Sequence, residues 1–471
     1  MFRTSAARPQ AAVVTMVVAT VFLSGAVAGA AEPVAHPKPN IVFILADDLG
    51  WGDLGCYGQK AILSPNLDRL AAEGMRFTRC YAGSTVCAPS RCVLMTGLHT
   101  GHCRIRGNAQ FPLRPEDTTV AEVLKGAGYA TALVGKWGLG EDGSTGVPNE
   151  QGFDRFFGYL NQVHAHNYYP DFLWRDKTKS ALPGNEVIKG VAVKRAVYSA
   201  DLFAEEALRF VRDSKDKPFF LYLALTAPHA NNEAGKEGME VPTDAPYSDK
   251  PWPQAQKNHA AMITRMDADL GRLFDEIKKL GLDGKTYIFF TSDNGPHREG
   301  GNDPEFHKSS GPLRGIKRAL YEGGIRVPMI VRRPGTVPAG KVSDRVTAFW
   351  DVMPTLAEIA GAEPPTTDGK SMLPTLLGKD GPTHEQLYWE FHEGGFKQAM
   401  LRGDWKAIRL KVGGRTELYN LKDDPGETTD LADKHPAIVR DLEERLKTAR
   451  TESSEWPIRA GPAPKTKAKK S

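Results

Sequence analysis

The chain has 471 residues, enough for one large domain and a smaller one with an ample core. Its composition, 41% apolar and 25% charged, is ordinary for a globular protein. The formal charge of +4 sits at the ends: Arg3 and Arg8 bring +2, and Arg459, Lys465, Lys467, Lys469 and Lys470 bring +5. That leaves −3 on the body, which gives no basis for a nucleic-acid partner.

Residues 1–30 read as a secretory signal: Arg3 and Arg8 precede an apolar run from Ala11 to about Ala28, and Ala28-Gly29-Ala30 offers small residues for cleavage. Cleavage is preferred to a retained anchor, so the expected location is secreted or periplasmic, with no membrane attachment afterwards. No other segment is long and apolar enough to span a bilayer. Export permits disulfides, and the five cysteines (Cys56, Cys80, Cys87, Cys92, Cys103) fit one special residue and up to two bridges of undetermined pairing.

In chain order, Ile41–Leu45 is a short apolar run suited to a buried strand. Cys87-Ala88-Pro89-Ser90-Arg91 follows, at the head of Val93-Leu94-Met95. Proline fits the first helical position, so a helix is expected there, with Cys87 near free N–H groups and the positive end of the dipole. Taken locally, Cys87 reads equally well as a half-buried structural cysteine. Asp117–Glu122 starts a second helix, and Ala130–Val134, Phe219–Leu225, Tyr287–Phe290 and Pro328–Val331 are further apolar runs. Asn258–Leu280 carries Met262, Ile263, Met266, Leu270, Leu273, Phe274 and Ile277 at helical spacing, and Val352–Ala360 is another helix. Runs without polar alternation suit strands covered on both faces. The expectation is therefore an α/β domain over 37–378, with a large, mostly parallel sheet sandwiched by helices. From 379 to 455, short strands around Leu387–Phe391, Trp405–Leu410 and Glu417–Leu421 and a helix from Pro436 to Arg450 suggest a small antiparallel subdomain. Residues 456–471 read as a disordered basic tail.

Four strands run into polar residues. They end in Ala46-Asp47-Asp48, Gly135-Lys136-Trp137-Gly138, Thr226-Ala227-Pro228-His229 and Thr291-Ser292-Asp293-Asn294-Gly295. Ligands in open α/β sheets bind outside the carboxyl ends of strands, so these groups are expected at one edge. Asp47, Asp48, Asp293 and Asn294 are all oxygen donors, which points to Ca²⁺, with Mg²⁺ as the alternative, rather than zinc. Arg91, Lys136 and Lys317 supply positive charge for an anion, and His229 is a candidate general acid. Such a site suits hydrolysis of a sulfate or phosphate ester.

From Asn40 to about Leu431 the chain resembles the type I sulfatases of the alkaline-phosphatase superfamily. The resemblance rests on Cys87-Ala88-Pro89-Ser90-Arg91 with Leu94-Met95-Thr96-Gly97, on Gly135-Lys136-Trp137, on Lys317 with Glu322-Gly323-Gly324, and on Leu418-Tyr419-Asn420-Leu421 with Asp424-Pro425-Gly426-Glu427. It implies that a maturation enzyme oxidises Cys87 to formylglycine (3-oxoalanine). It further implies that Asp47, Asp48, Asp293 and Asn294 hold Ca²⁺ with residue 87, that Arg91, Lys136 and Lys317 hold sulfate oxygens, and that His229 protonates the leaving alcohol. One departure stands out: the family commonly has histidine where this chain has Gly138, so the base of the second step is unassigned. His164 or His166 is expected to reach into that space, with Tyr168, Tyr169 or Trp174 facing the substrate. The expected substrate is a sulfated carbohydrate, or else an aryl sulfate. A phosphate mono- or diester hydrolase is disfavoured by the cysteine signature and by histidines that do not cluster with the carboxylates. A catalytically silent binding protein has only Gly138 in its favour.

Overall fold

The computed structural model describes residues 1–7, 9, 10, 12, 13, 16, 38–109 and 111–461. The signal-sequence expectation falls largely outside these residues, as do 462–471 of the expected tail. Among the described residues no helix is long and apolar enough to cross a membrane.

The apolar runs at 41–45, 130–134, 219–225 and 287–290 form the strands Asn40–Ala46, Ala130–Lys136, Phe219–Ala224 and Thr286–Ser292. They are buried on both faces for a visible reason. Ile41, Phe43 and Leu45 pack in one core with Leu94, Val120, Leu124 and Leu356, while Val42 and Ile44 pack in another with Leu70, Phe203, Ile263 and Leu270. Alternate side chains of one strand thus enter two cores, each covered by helices.

These strands lie side by side in the order 286–292, 40–46, 219–224, 130–136, all parallel, and Arg155–Tyr159 extends the parallel set. Ala46 pairs with Ser292, while Leu45 and Gly135 both pair with Ala224, so all four strands end at one level. The flanks run otherwise. Arg326–Arg332, whose core at 328–331 was grouped with the parallel runs, is antiparallel to both 286–292 and Met75–Tyr81. Its register shifts between Val327 and Met329, around Pro328, the residue with no N–H to pair. The whole is an eleven-stranded mixed sheet with a parallel centre.

Helix limits follow local chemistry. Thr119 and Glu122 form a reciprocal capping box that starts Val120–Gly126 three residues after Asp117. The long helix is Gln254–Lys279, four residues earlier than its apolar period suggested, because its first turns bury Gln256 and His259 instead of hydrophobes. The helix expected at Pro89 begins at Cys87.

The described residues from Lys38 onward form one compact unit. The C-terminal sheet, Leu387–Phe391, Lys397–Arg402, Trp405–Arg409 and Thr416–Asn420, is antiparallel throughout. Met400, Ala407 and Leu418 pack against Leu442 and Leu446 of the helix Pro436–Thr448. A buried charge cluster fastens this sheet to the larger one. Lys406 Nζ lies 2.8 Å from Glu322 and 2.9 Å from Glu427, all fully buried, and Tyr81 Oη donates to Glu322. Trp456, at the start of the segment read as a tail, is buried, and its Nε1 donates to the Arg104 carbonyl.

Removing one member of such a cluster strands the others. Lys406→Ala is expected to cost about 3–5 kcal/mol of stability, with Lys406→Met no better than partial relief, as measured by urea unfolding.

Candidate active site

Each strand end turns its polar residues toward one point. Asp48 has φ +61°, in the left-handed region that aspartate tolerates better than most residues. In an extended strand consecutive side chains point apart; this turn brings Asp47 and Asp48 to the same place. Donor atoms of Asp47, Asp48, Cys87 and His229 lie within 4.8 Å of one another. Asp293 joins through its Oδ1, which accepts from the Asp48 N–H at 3.1 Å. Asn294 Nδ2 donates to Asp48 Oδ1 at 2.7 Å.

Asp47, Asp48 and Asp293 are fully buried, so each carboxylate needs a counter-charge. Lys136 Nζ lies 2.7 Å from Asp47, Lys317 Nζ 2.8 Å from Asp48, and Arg91 Nη2 2.8 Å from Asp293 and 3.4 Å from Asp47. Burial works against charge on Asp47, but Lys136 and Arg91 hold its carboxyl well below the usual range. Asp293 goes the other way: burial and the charge on Asp47 push it up to about 7. Asn294 Oδ1 is buried and has no hydrogen-bond partner among the described residues. An orphan amide oxygen beside three carboxylates fits a hard divalent cation.

Cys87 is the first residue of the helix Cys87–Thr96. Ser90 Oγ, donating to the Asp293 carbonyl at 2.5 Å, pins this helix to the 286–292 strand end. Asn108 Oδ1 caps the Ala88 N–H. Burial and Asp47 push the Cys87 thiol well above its ordinary pKa, and Sγ points at Asp47 Oδ1 at 3.5 Å. The unmodified residue is a thiol, not a thiolate nucleophile.

Arg91 does not sit where sulfate oxygens were expected to meet it. It is fully buried and absent from the cavity wall. Nε and Nη2 are on Asp293, and Nη1 donates to the Lys136 carbonyl. It braces the carboxylates from behind.

A cavity of ≈ 230 Å³ opens over Cys87, with His166, His229, Lys317 and Arg318 in its wall. His229 lies with the carboxylates after all, its Nε2 3.4 Å from Asp48 Oδ2. Its Nδ1 is 2.6 Å from the Ala230 carbonyl, which can only accept, so Nδ1 carries the proton and Nε2 faces Lys317 Nζ at 3.1 Å. Burial and the Lys317 charge push the imidazole well below its ordinary pKa. Against burial, Lys317 draws Glu299 down to about 2, and the two are 2.9 Å apart.

The two candidate histidines separate. His166 reaches the cavity, stacked on His229 with ring centroids 4.7 Å apart, its Nδ1 3.0 Å from Glu233. His164 does not: its ring packs against Phe172 and Tyr159. Nor do the expected aromatics face Cys87. Tyr168 donates to the Thr226 and His229 carbonyls, Tyr169 packs on Tyr198, and Trp174 borders a separate cavity of ≈ 420 Å³. The space at Gly138 is taken by Gln162, a residue the sequence reading did not single out. A Cβ at 138 would lie 2.0 Å from Gln162 Nε2. The signal was the glycine itself, since a missing side chain in a packed site implies another in its place. All five cysteines are unbridged.

The Sulfatase family profile matches residues 39–362, and the profile of the N-sulphoglucosamine sulphohydrolase C-terminal region matches 316–452. The chain belongs to the sulfatase family. It is 34% identical to the N-acetylgalactosamine-6-sulfatase of Sus scrofa over 81% of this chain and 72% of that one. It is 31% identical to the N-acetylgalactosamine-6-O-sulfatase of Bacteroides thetaiotaomicron over 88% and 93%. The solved structure of Ps i-CgsB in complex with k-i-k-neocarrahexaose superimposes with a TM-score of 0.75 at 28% identity, covering 88% of this chain and 92% of that one. This sulfatase is accordingly a sulfuric ester hydrolase on an alkaline-phosphatase-like fold.

Because burial lowers His164 from 6.5 to about 4, the unfolded chain binds a proton between those values that the folded sulfatase refuses. Stability therefore falls as pH drops through that window, by about 3 kcal/mol when complete. His164→Phe should flatten this part of the pH dependence of urea unfolding and leave turnover near wild type.

Proposed function

We propose that this sulfatase removes sulfate from a sulfated carbohydrate, with residue 87 as formylglycine and one Ca²⁺ held by Asp47, Asp48, Asp293 and Asn294. The observation that carries the reading is the convergence of four strand ends on Cys87, each bringing a charged or hydrogen-bonding group to one point. The carbohydrate part is supported by the names of the two relatives and by the oligosaccharide in the related complex. Export is supported by Arg3, Arg8 and the apolar run before Ala28-Gly29-Ala30.

Asp47, Asp48, Asp293 and Asn294 would hold the ion beside an oxidised residue 87, and together these groups would supply a hydroxyl nucleophile and positive charge for the sulfate. The chain's own residues do the rest. Lys317, in the cavity wall, brings positive charge to the sulfate oxygens, while Lys136 and Arg91, buried behind it, keep Asp47 and Asp293 in place. His229, locked through Nδ1 on Ala230, shares a proton with Lys317 at Nε2, and this pair protonates the departing alcohol. His166, backed by Glu233, has the form of a general base and is the histidine that serves the cavity. Ser90 and Arg91 are fully buried in the finished fold, so the formylglycine-generating enzyme must meet its motif before folding closes over it.

Protein whose Cys87 peptide is shown by mass spectrometry to be oxidised should release sulfate from sulfated sugars, and Cys87→Ala should lower turnover by about 10⁴-fold or more. No release by fully oxidised protein across a positional panel of sulfated sugars would refute the carbohydrate reading. Chelation with EGTA should lower the melting temperature and Ca²⁺ should restore it. His166→Ala should lower kcat by about 100-fold; an unchanged kcat would remove His166 from the reaction.

A further inference from the structure

We infer that Gln162, with the hydrogen-bonded pair Glu141–Asn161, forms a sugar-reading wall of the Cys87 cavity, and that this wall selects a sugar unit bearing hydroxyls and no second anionic group. The inference rests on the sulfated-carbohydrate reading above and narrows its substrate class.

Gly138 has φ +80°, and a Cβ placed there would meet Gln162 Nε2 at 2.0 Å and Cδ at 2.7 Å. The glutamine side chain therefore crosses directly over the Gly138 backbone, in the wall of the cavity that also contains Cys87. Its Nε2 is buried and has no acceptor among the described residues. An amide NH₂ only donates, so the group is complete when a ligand brings an acceptor oxygen.

Glu141 stands beside it. Its carboxylate accepts from Asn161 Nδ2 at 2.7 Å, and Asn161 Oδ1 accepts from the Val163 and His164 N–H groups. Asn161 is thus fixed by its own loop and presents Glu141 in a set position. A carboxylate with free lone pairs takes hydroxyl donors and repels sulfate or carboxylate. Glu141 and Gln162 thus bring an acceptor and a donor to the same cavity wall, which suits sugar hydroxyls in both of their roles.

Among the described residues, the cations of the wall already face carboxylates. Arg318 is held by Glu299 and Glu393, and Lys317 by Asp48 and Glu299. His166 faces Glu233. The cations of this site are committed to its carboxylates and to one sulfate.

The test uses full-length protein with Cys87 verified as oxidised. kcat/KM is measured on the best monosulfated neutral sugar of a positional panel, on the same sugar carrying a second sulfate, and on 4-nitrophenyl sulfate. The wild type should prefer the monosulfated sugar over the disulfated one by at least tenfold. Glu141→Gln should narrow that preference at least fivefold. Gln162→Ala should lower the sugar-to-aryl ratio of kcat/KM at least tenfold, mainly through KM. Equal use of both sugars by the wild type overturns the inference, as does a Gln162→Ala loss that is the same for sugar and aryl sulfate. Should Gln162→Ala not fold, the wild-type comparison and Glu141→Gln still decide. Failure of the underlying reading looks different: 4-nitrophenyl sulfate is hydrolysed and no sugar sulfate is, and the inference then falls with it.

Discussion

Three carboxylates buried at one edge of a sheet are the constraint on which the rest of this molecule depends. Asp47, Asp48 and Asp293 have no access to solvent, and uncompensated they would be far too costly to bury. Every element around them answers to that cost. The strand 130–136 ends in Lys136 beneath Asp47, the helix at Cys87 carries Arg91 one turn in, and the loop before Glu322 delivers Lys317 to Asp48. Burial first, and these charges second, explain why Cys87 remains a thiol, why Asp293 is held up near 7 and why His229 is neutral. Catalytic groups and structural supports here are one electrostatic system.

The part of this arrangement legible in the sequence was the part written in contiguous residues. Asp47-Asp48, Lys136, His229 and Asp293-Asn294 each follow an apolar run directly, and parallel pairing of those runs brings their ends together. The strands 75–81 and 155–159 were not singled out. The reversal at 326–332 was also hidden, because an apolar run looks alike in either direction. Arg91 was found, but its partners were not: residue type alone does not reveal that its donors lie on Asp293 and the Lys136 carbonyl. His164 and His166 are two residues apart and could be told apart only by where their loop turns.

The C-terminal sheet does more than cover the larger domain. Glu322, bound by Lys406, sits in the segment whose Gly324 carbonyl accepts from the Gly295 N–H, one residue after Asn294. Lys317, a few residues earlier, donates its own N–H to the Pro296 carbonyl. The loop that aims Lys317 is therefore held at both ends, by the active-site strand on one side and by the buried Lys406 cluster on the other.

The overlap of Gln162 with the space above Gly138 also limits how such a site can change over evolutionary time. A side chain added at 138 would begin inside the glutamine amide, 2.0 Å from its nitrogen. The amide is the far end of a flexible side chain and can swing aside, but the left-handed backbone at 138 (φ +80°) strains any side chain placed there. A filled 138 therefore asks for a change in its own turn as well as a move of Gln162, so the two positions are coupled through the backbone and not through bulk alone.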